Sequence, residues 1–238
     1  MAPPAKAAIL HDRETVHELQ SRIRSMQRTT LDARAVPTHP ALAGLLPQGA
    51  LAAGSVYVID GSTSLALGLL QAPSAAGSWC AVVGVPDLGV EAAAAMGIDL
   101  ERLVLVPHPG DDALAVLSAL IDVVSVVLVR MPLRRGHTRV SDAVASRIAA
   151  RLRQREGVLV SLGDWPRHEA RMRVTASDWG GIGSGFGYLA TRRLTVDSSS
   201  IRWGGRSRSR RLLMSSEGFV DQAGGVPLAA SSHVLRGV

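Results

Sequence analysis

The chain has 238 residues, 47% hydrophobic and 3% aromatic. That is enough apolar material for one large core of Val, Leu, Ile and Ala, and too much for global disorder. A formal charge of +6, carried almost wholly by Arg, suits phosphate or carboxylate partners. The lone Cys80 excludes an internal disulfide. With no signal-peptide stretch and no bilayer-length apolar run, a soluble cytoplasmic protein is expected.

Taken in chain order, residues 1–35 form an N-terminal extension. Within it Val16, Leu19, Ile23 and Met26 recur at spacings of three and four, which predicts an amphipathic helix from Asp12 to Arg28. Its stripe must be buried either on its own domain or on a partner. Leu31 to Pro47, with Pro37, Pro40 and Pro47, reads as a linker into a core of residues 36–215.

That core alternates strand and helix. Val56–Ile59 is a strand, followed by a helix from Ser64. Trp79–Val85 is a strand, and the helix Val90–Met96 ends at Gly97. Leu103–Val106 is a strand. The helix Ala113–Leu120 takes Asp111 or Asp112 as its cap. The apolar run Val123–Val129 suits a strand buried on both faces. The helix Ser141–Arg155 shows the stripe Val144, Ile148 and Leu152 and is stopped by Gly157. Val158–Leu162 is the fifth strand. This rhythm predicts an α/β fold with a mostly parallel sheet flanked by helices. Beyond Trp165 the helical period is lost. Arg171–Ala176, Tyr188–Val196, Ile201–Trp203 and Arg210–Met214 read as antiparallel strands added at the C-terminal end of the sheet. Residues 216–238 read as a flexible tail.

The stretch that organises the core is Gly54 to Leu67: a buried strand, a glycine turn and the start of a helix. An intact phosphate loop needs glycines whose N–H groups face phosphate, a Lys to meet the charge, and a hydroxyl for Mg²⁺. Here Gly61 and Thr63 stand at the end of such a loop. Ser62 holds the lysine position, and Asp60 puts a negative charge where phosphate would lie. The loop is also short, since only Asp60 separates strand from glycine. This is a degenerate phosphate-loop remnant made of Asp60, Gly61, Ser62 and Thr63.

These segments resemble the RecA-type core. Gly54–Gly61 looks like the strand entering a RecA phosphate loop, and Ser64–Leu67 like the helix leaving it. Met96–Leu103, Trp179-Gly180-Gly181 and Ala190–Leu194 are similar to further RecA segments. The resemblance covers about residues 40–215 and is nearest to the ImuA family in its actinobacterial ImuA′ form. It implies an accessory factor of the SOS response. Such a factor works in translesion synthesis with an ImuB-type inactive Y-family polymerase protein and, indirectly, an error-prone C-family polymerase and the sliding clamp.

The departures from RecA set the chemistry expected here. A Walker B strand ends in an Asp that holds Mg²⁺, but Val126–Val129 is followed by Arg130. Where RecA has an Asn-Gln sensor this chain has Gly163-Asp164, and Asp87 is the one remaining candidate carboxylate. No enzymatic activity, catalytic residue, cofactor or metal site is therefore expected. The alternatives are a residual ATP-dependent recombinase-like enzyme or a cell-division inhibitor of the SulA kind.

Two arginine-rich regions are candidate contacts. Arg202, Trp203, Arg206, Arg208, Arg210 and Arg211 suit single-stranded nucleic acid, an acidic partner or a solvated strand edge. The loop after the fourth strand carries Arg134 and Arg135. The resemblance makes them possible DNA contacts, because in RecA that loop faces DNA. It also makes the N-terminal stripe a partner-binding candidate, since the corresponding RecA helix packs on the adjacent subunit.

Overall fold

The computed structural model of the protein describes residues 35–132, 140–181, 190–215 and 218–222. The N-terminal stripe of Val16, Leu19, Ile23 and Met26 lies outside the described residues, as do Arg134 and Arg135.

Two short strands, β1 (Ala35–Val36) and β2 (Leu51–Ala52), pair antiparallel beside the main sheet. Between them lies a one-turn helix, α1 (Pro40–Ala43), started by Pro40 in its first turn. This corrects the linker reading of Leu31–Pro47. Leu42, Leu45 and Leu46 are fully buried, and each contributes about 2 kcal/mol of apolar burial.

The rest of the chain follows β3 (Val56–Asp60), α2 (Thr63–Ala75), β4 (Cys80–Val83), α3 (Val90–Ala95), β5 (Leu103–Val106), α4 (Ala113–Ile121), β6 (Val126–Val129), α5 (Asp142–Arg155) and β7 (Val158–Leu162). Four strands then follow: β8 (Ala170–Gly180), β9 (Thr191–Ser199), β10 (Ser207–Ser215) and β11 (Gly218–Asp221). Among the described residues one nine-stranded sheet has the order β11-β10-β9-β8-β3-β7-β6-β4-β5. It is parallel from β8 across to β5 and antiparallel from β8 to β11. The fold is therefore α/β, with a large, mostly parallel mixed sheet flanked by helices.

Alternation along the strands divides the core in two. Tyr57, Ile59, Val82 and Leu128 point to one face and pack with Leu65, Leu69 and Leu70 of α2. Val58, Ala81, Val83 and Val127 point to the other and pack with Leu117 of α4 and Ile148 and Leu152 of α5. All four residues of β4 and of β6 are buried, as expected where helices cover both faces. No helix among the described residues is long and apolar enough to cross a membrane.

Several boundaries differ from the sequence expectations for local reasons. Val123 is 71% exposed, because the amides of Val123 and Val124 close the end of α4 on Leu120 O. The strand therefore starts at Val126. The α4 helix is led in by a 3-10 turn, Gly110–Asp112, and the Asp112 side chain makes no capping bond. At the end of α5, Glu156 rather than Gly157 takes the left-handed conformation, at φ 55°. Ile201–Trp203 is a 3-10 turn instead of a strand: the Ser200 hydroxyl accepts from the Arg202 amide, and Gly204 turns left-handed behind it. The expected tail is corrected at its start. β11 pairs with β10, and Phe219 is buried against Gly68 of α2.

Candidate functional site

The turn after β3 sits at the carboxyl edge of the parallel strands, where open α/β sheets bind ligands. Gly61 takes φ 78°, a conformation that costs glycine little and other residues more. It lets the chain leave β3 and enter α2 at once. Ser62 is the N-cap of α2, and its hydroxyl accepts from the Leu65 amide at 3.1 Å. This buried serine, in the position of the phosphate-loop lysine, is therefore already engaged in holding the helix end.

The charges that depart from a nucleotide site are paired with one another. Arg130, just past β6, donates from Nη1 to Asp87 Oδ1 at 2.8 Å and from Nη2 to Thr63 Oγ1 at 3.2 Å. In an intact loop that hydroxyl would meet Mg²⁺; here it faces a guanidinium. The hydrogen bond from Arg130 holds the Asp87 carboxyl below its ordinary range. Arg130 is also fixed by its backbone. Its amide donates to Val83 O at 2.9 Å, and its carbonyl lies 2.1 Å from where a Cβ on Gly84 would be. Only glycine, here at φ 73°, fits at position 84.

A second cluster closes the other side. Asp60 Oδ2 accepts from Arg171 Nη1 at 3.2 Å and from Arg173 Nη2 at 3.1 Å, and Arg171 also pairs with Asp164. These contacts form because β8 lies parallel beside β3, with Asp60 opposite Arg173. Three carboxylates (Asp60, Asp87, Asp164) thus face three guanidiniums (Arg130, Arg171, Arg173) around the turn. Sequence reasoning singled out Asp60, Asp87, Arg130 and Asp164. It placed Arg171 and Arg173 only within an expected strand and, by resemblance, within residues 166–177 as a possible DNA-facing loop. The structure puts them on strand β8, and no local pattern tied them to Asp60, more than a hundred residues away.

The C-terminal arginines are divided by the structure. Arg202 pairs with Glu169. Arg208 lies over the Trp203 ring at 4.3 Å, so one face of the indole is covered. Arg210 lies 4.0 Å from Asp221 and packs against Gly44. Arg206 and Arg211 are exposed. On β10 the side of Leu212 and Met214 faces the core with α2, together with Leu194 and Val196 of β9 and Phe219 of β11. The opposite side of these strands carries Arg193, Arg211, Leu213 and Val220, none of which belongs to either core cluster. Arg193 lies beside Leu213, and Leu213 beside Val220, in one row across three strands. This mixed basic and apolar face was not foreseen, because it depends on the placement of β11.

The family model for the MT3502 N-terminal domain matches residues 44–167. A curated relative, the uncharacterized protein Rv3395c of Mycobacterium tuberculosis (strain ATCC 25618 / H37Rv), is 40% identical over 131 residues. That match takes in 54% of this chain and 62% of the relative, so the chain spans about six-tenths of the relative's length. The family match contains β3 through β7 and with them the whole turn, Asp87, Arg130 and Asp164; on that evidence the chain belongs to the MT3502 N-terminal domain family.

Proposed function

We propose that the chain is a non-catalytic adaptor with a RecA-like core, acting in DNA-damage-induced mutagenesis. It assembles a translesion synthesis complex with an ImuB-type polymerase-like protein and, through that protein, an error-prone C-family polymerase at the sliding clamp. The observation that carries the non-catalytic part is the ion-paired turn. Binding a triphosphate there would require Arg130 to release Thr63 and the Asp60 carboxylate to face phosphate, with no lysine to offset either change. The RecA-like part is supported by the glycine turn on a central strand and by a sheet that passes from parallel to antiparallel at β8. The partner and pathway rest on the resemblance of the segments named above.

The surface that fits this role best is the open side of β9–β11. It combines Arg193 and Arg211 with the partly exposed Leu213 and the exposed Val220, a mixture that suits a protein surface bearing carboxylates around an apolar centre. A pull-down with an ImuB-type protein tests the assignment. Full-length protein is expected to retain it, and Arg193→Glu with Arg211→Glu to lose most of the binding. Failure of the intact chain to bind any component of the polymerase complex would overturn the proposal. The cell-division reading predicts instead that the chain blocks assembly of a filament-forming GTPase.

A further inference from the structure

Charge is distributed with opposite sign at the two ends of the sheet. Residues 80–129, which build β4, β5 and β6 with α3 and α4, hold seven carboxylates and a single arginine, Arg102. Residues 191–215, which build β9 and β10, hold seven arginines and a single carboxylate, Asp197. The strand order puts β5 at one edge of the sheet and β10 with β11 at the other. Part of this charge is used inside the molecule: Asp87 pairs with Arg130, Asp122 with Arg151 and Arg155, and Arg202 with Glu169. Glu91, Glu101 and Asp112 at the β5 end are exposed and have no ion pair among the described residues. The same holds for Arg206 and Arg208 at the β10 end, where Arg208 lies over the Trp203 ring.

Exposed apolar side chains collect at the same two ends. Of the nine large hydrophobics exposed among the described residues, six fall between Trp79 and Val123, Leu100 and Leu105 included. The other three, Trp179, Ile201 and Val220, lie on β8, in the turn after β9 and on β11. Ile201 is 90% exposed on a turn fixed by the Ser200 cap and by Gly204. β5 reads Leu-Val-Leu-Val and pairs with β4 alone among the described residues. Neither charge nor proline within it guards its outer edge, the usual protection of an edge strand. Apolar side chains ringed by charge of one sign suit a protein surface of the opposite sign.

Symmetry decides which copy-to-copy contact fits. A two-fold contact between β5 ends sets acid against acid, and one between β10 ends sets arginine against arginine. Among contacts between two copies through these ends, the head-to-tail one alone brings carboxylates to arginines and covers the exposed apolar residues of both. We propose that the β5 end of one copy binds the β10–β11 end of a second copy, head to tail. The proposal goes beyond the adaptor reading and does not depend on it. Such a contact leaves a free end of each sign, so copies continue to add unless a ring closes.

Sedimentation of the full-length protein alone tests it. At about 0.05 M salt the average mass is expected to rise with concentration past twice that of the monomer, and at about 0.5 M salt to return to the monomer value. Glu91→Lys with Glu101→Lys disables the acidic end, and Arg206→Ala with Arg208→Ala the basic end. Each variant alone is expected to stay monomeric, with the thermal midpoint of the parent. An equal mixture of the two retains one sound end of each sign, and is expected to give a 1:1 dimer and nothing larger. A parent that stays monomeric at low salt, or that stops at a dimer, would overturn the proposal. So would assembly that persists in either variant, or a mixture of folded variants that stays monomeric.

Discussion

Single residues around the turn have exchanged roles with those a nucleotide site requires. Ser62 caps a helix, Thr63 accepts from Arg130, and Asp60 neutralises Arg171 and Arg173. Set against a phosphate loop, the sequence has Ser62 where a lysine is expected and Arg130 where a metal-binding carboxylate is expected. It did not show that the replacements satisfy each other, because Arg171 and Arg173 reach Asp60 only through the pairing of β8 with β3. A different carboxylate offers a clean pH test. Asp122 is held at about 2, first by the hydrogen bond from Arg151 and then by the Arg155 contact. Its folded pKa lies below the ordinary carboxylate value of about 3.9, so its contribution is fully present above about pH 4 and is lost as pH falls toward 2. Asp122→Asn is expected to be slightly less stable than the parent at pH 6, with the gap closing between about pH 4 and pH 2 and narrowing in salt. Denaturant titrations across that range check this. A gap that stays constant with pH would contradict the assigned pairing.

At the level of elements, legibility followed the strength of the local pattern. β3, β5, β7 and the helices α3 and α5 fall within a residue or two of expectation, since continuous apolar runs and i, i+4 stripes need no tertiary information. The misses are short elements defined by what they touch. α1 is hidden in a proline-rich stretch yet brings Leu42 into the core, and β11 is a strand only because β10 offers it an edge. Phe219 makes the second case testable. Its ring lies 2.5 Å from where a Cβ on Gly68 would be, so the lack of a side chain in α2 makes room for it. Phe219→Ala should cost about 3–4 kcal/mol of stability by urea unfolding. A loss below about 1 kcal/mol, the range of surface substitutions, would return residues 218–221 to the status of a tail.

For the molecule as a whole, the fold class was legible and the strand order was not. The alternation of strand and helix implies a parallel sheet, but no periodicity says that β8 lies beside β3 or that β5 ends the sheet. That order builds the ion-paired turn at one edge and opens the basic face of β9–β11. The proposed adaptor role rests on these two features together. The most direct measurement is a calorimetric titration of the full-length protein with ATP and Mg²⁺ at low salt. The account predicts no saturable heat up to millimolar nucleotide, with or without the metal. A magnesium-dependent isotherm in the micromolar range, abolished by Thr63→Ala, would contradict it.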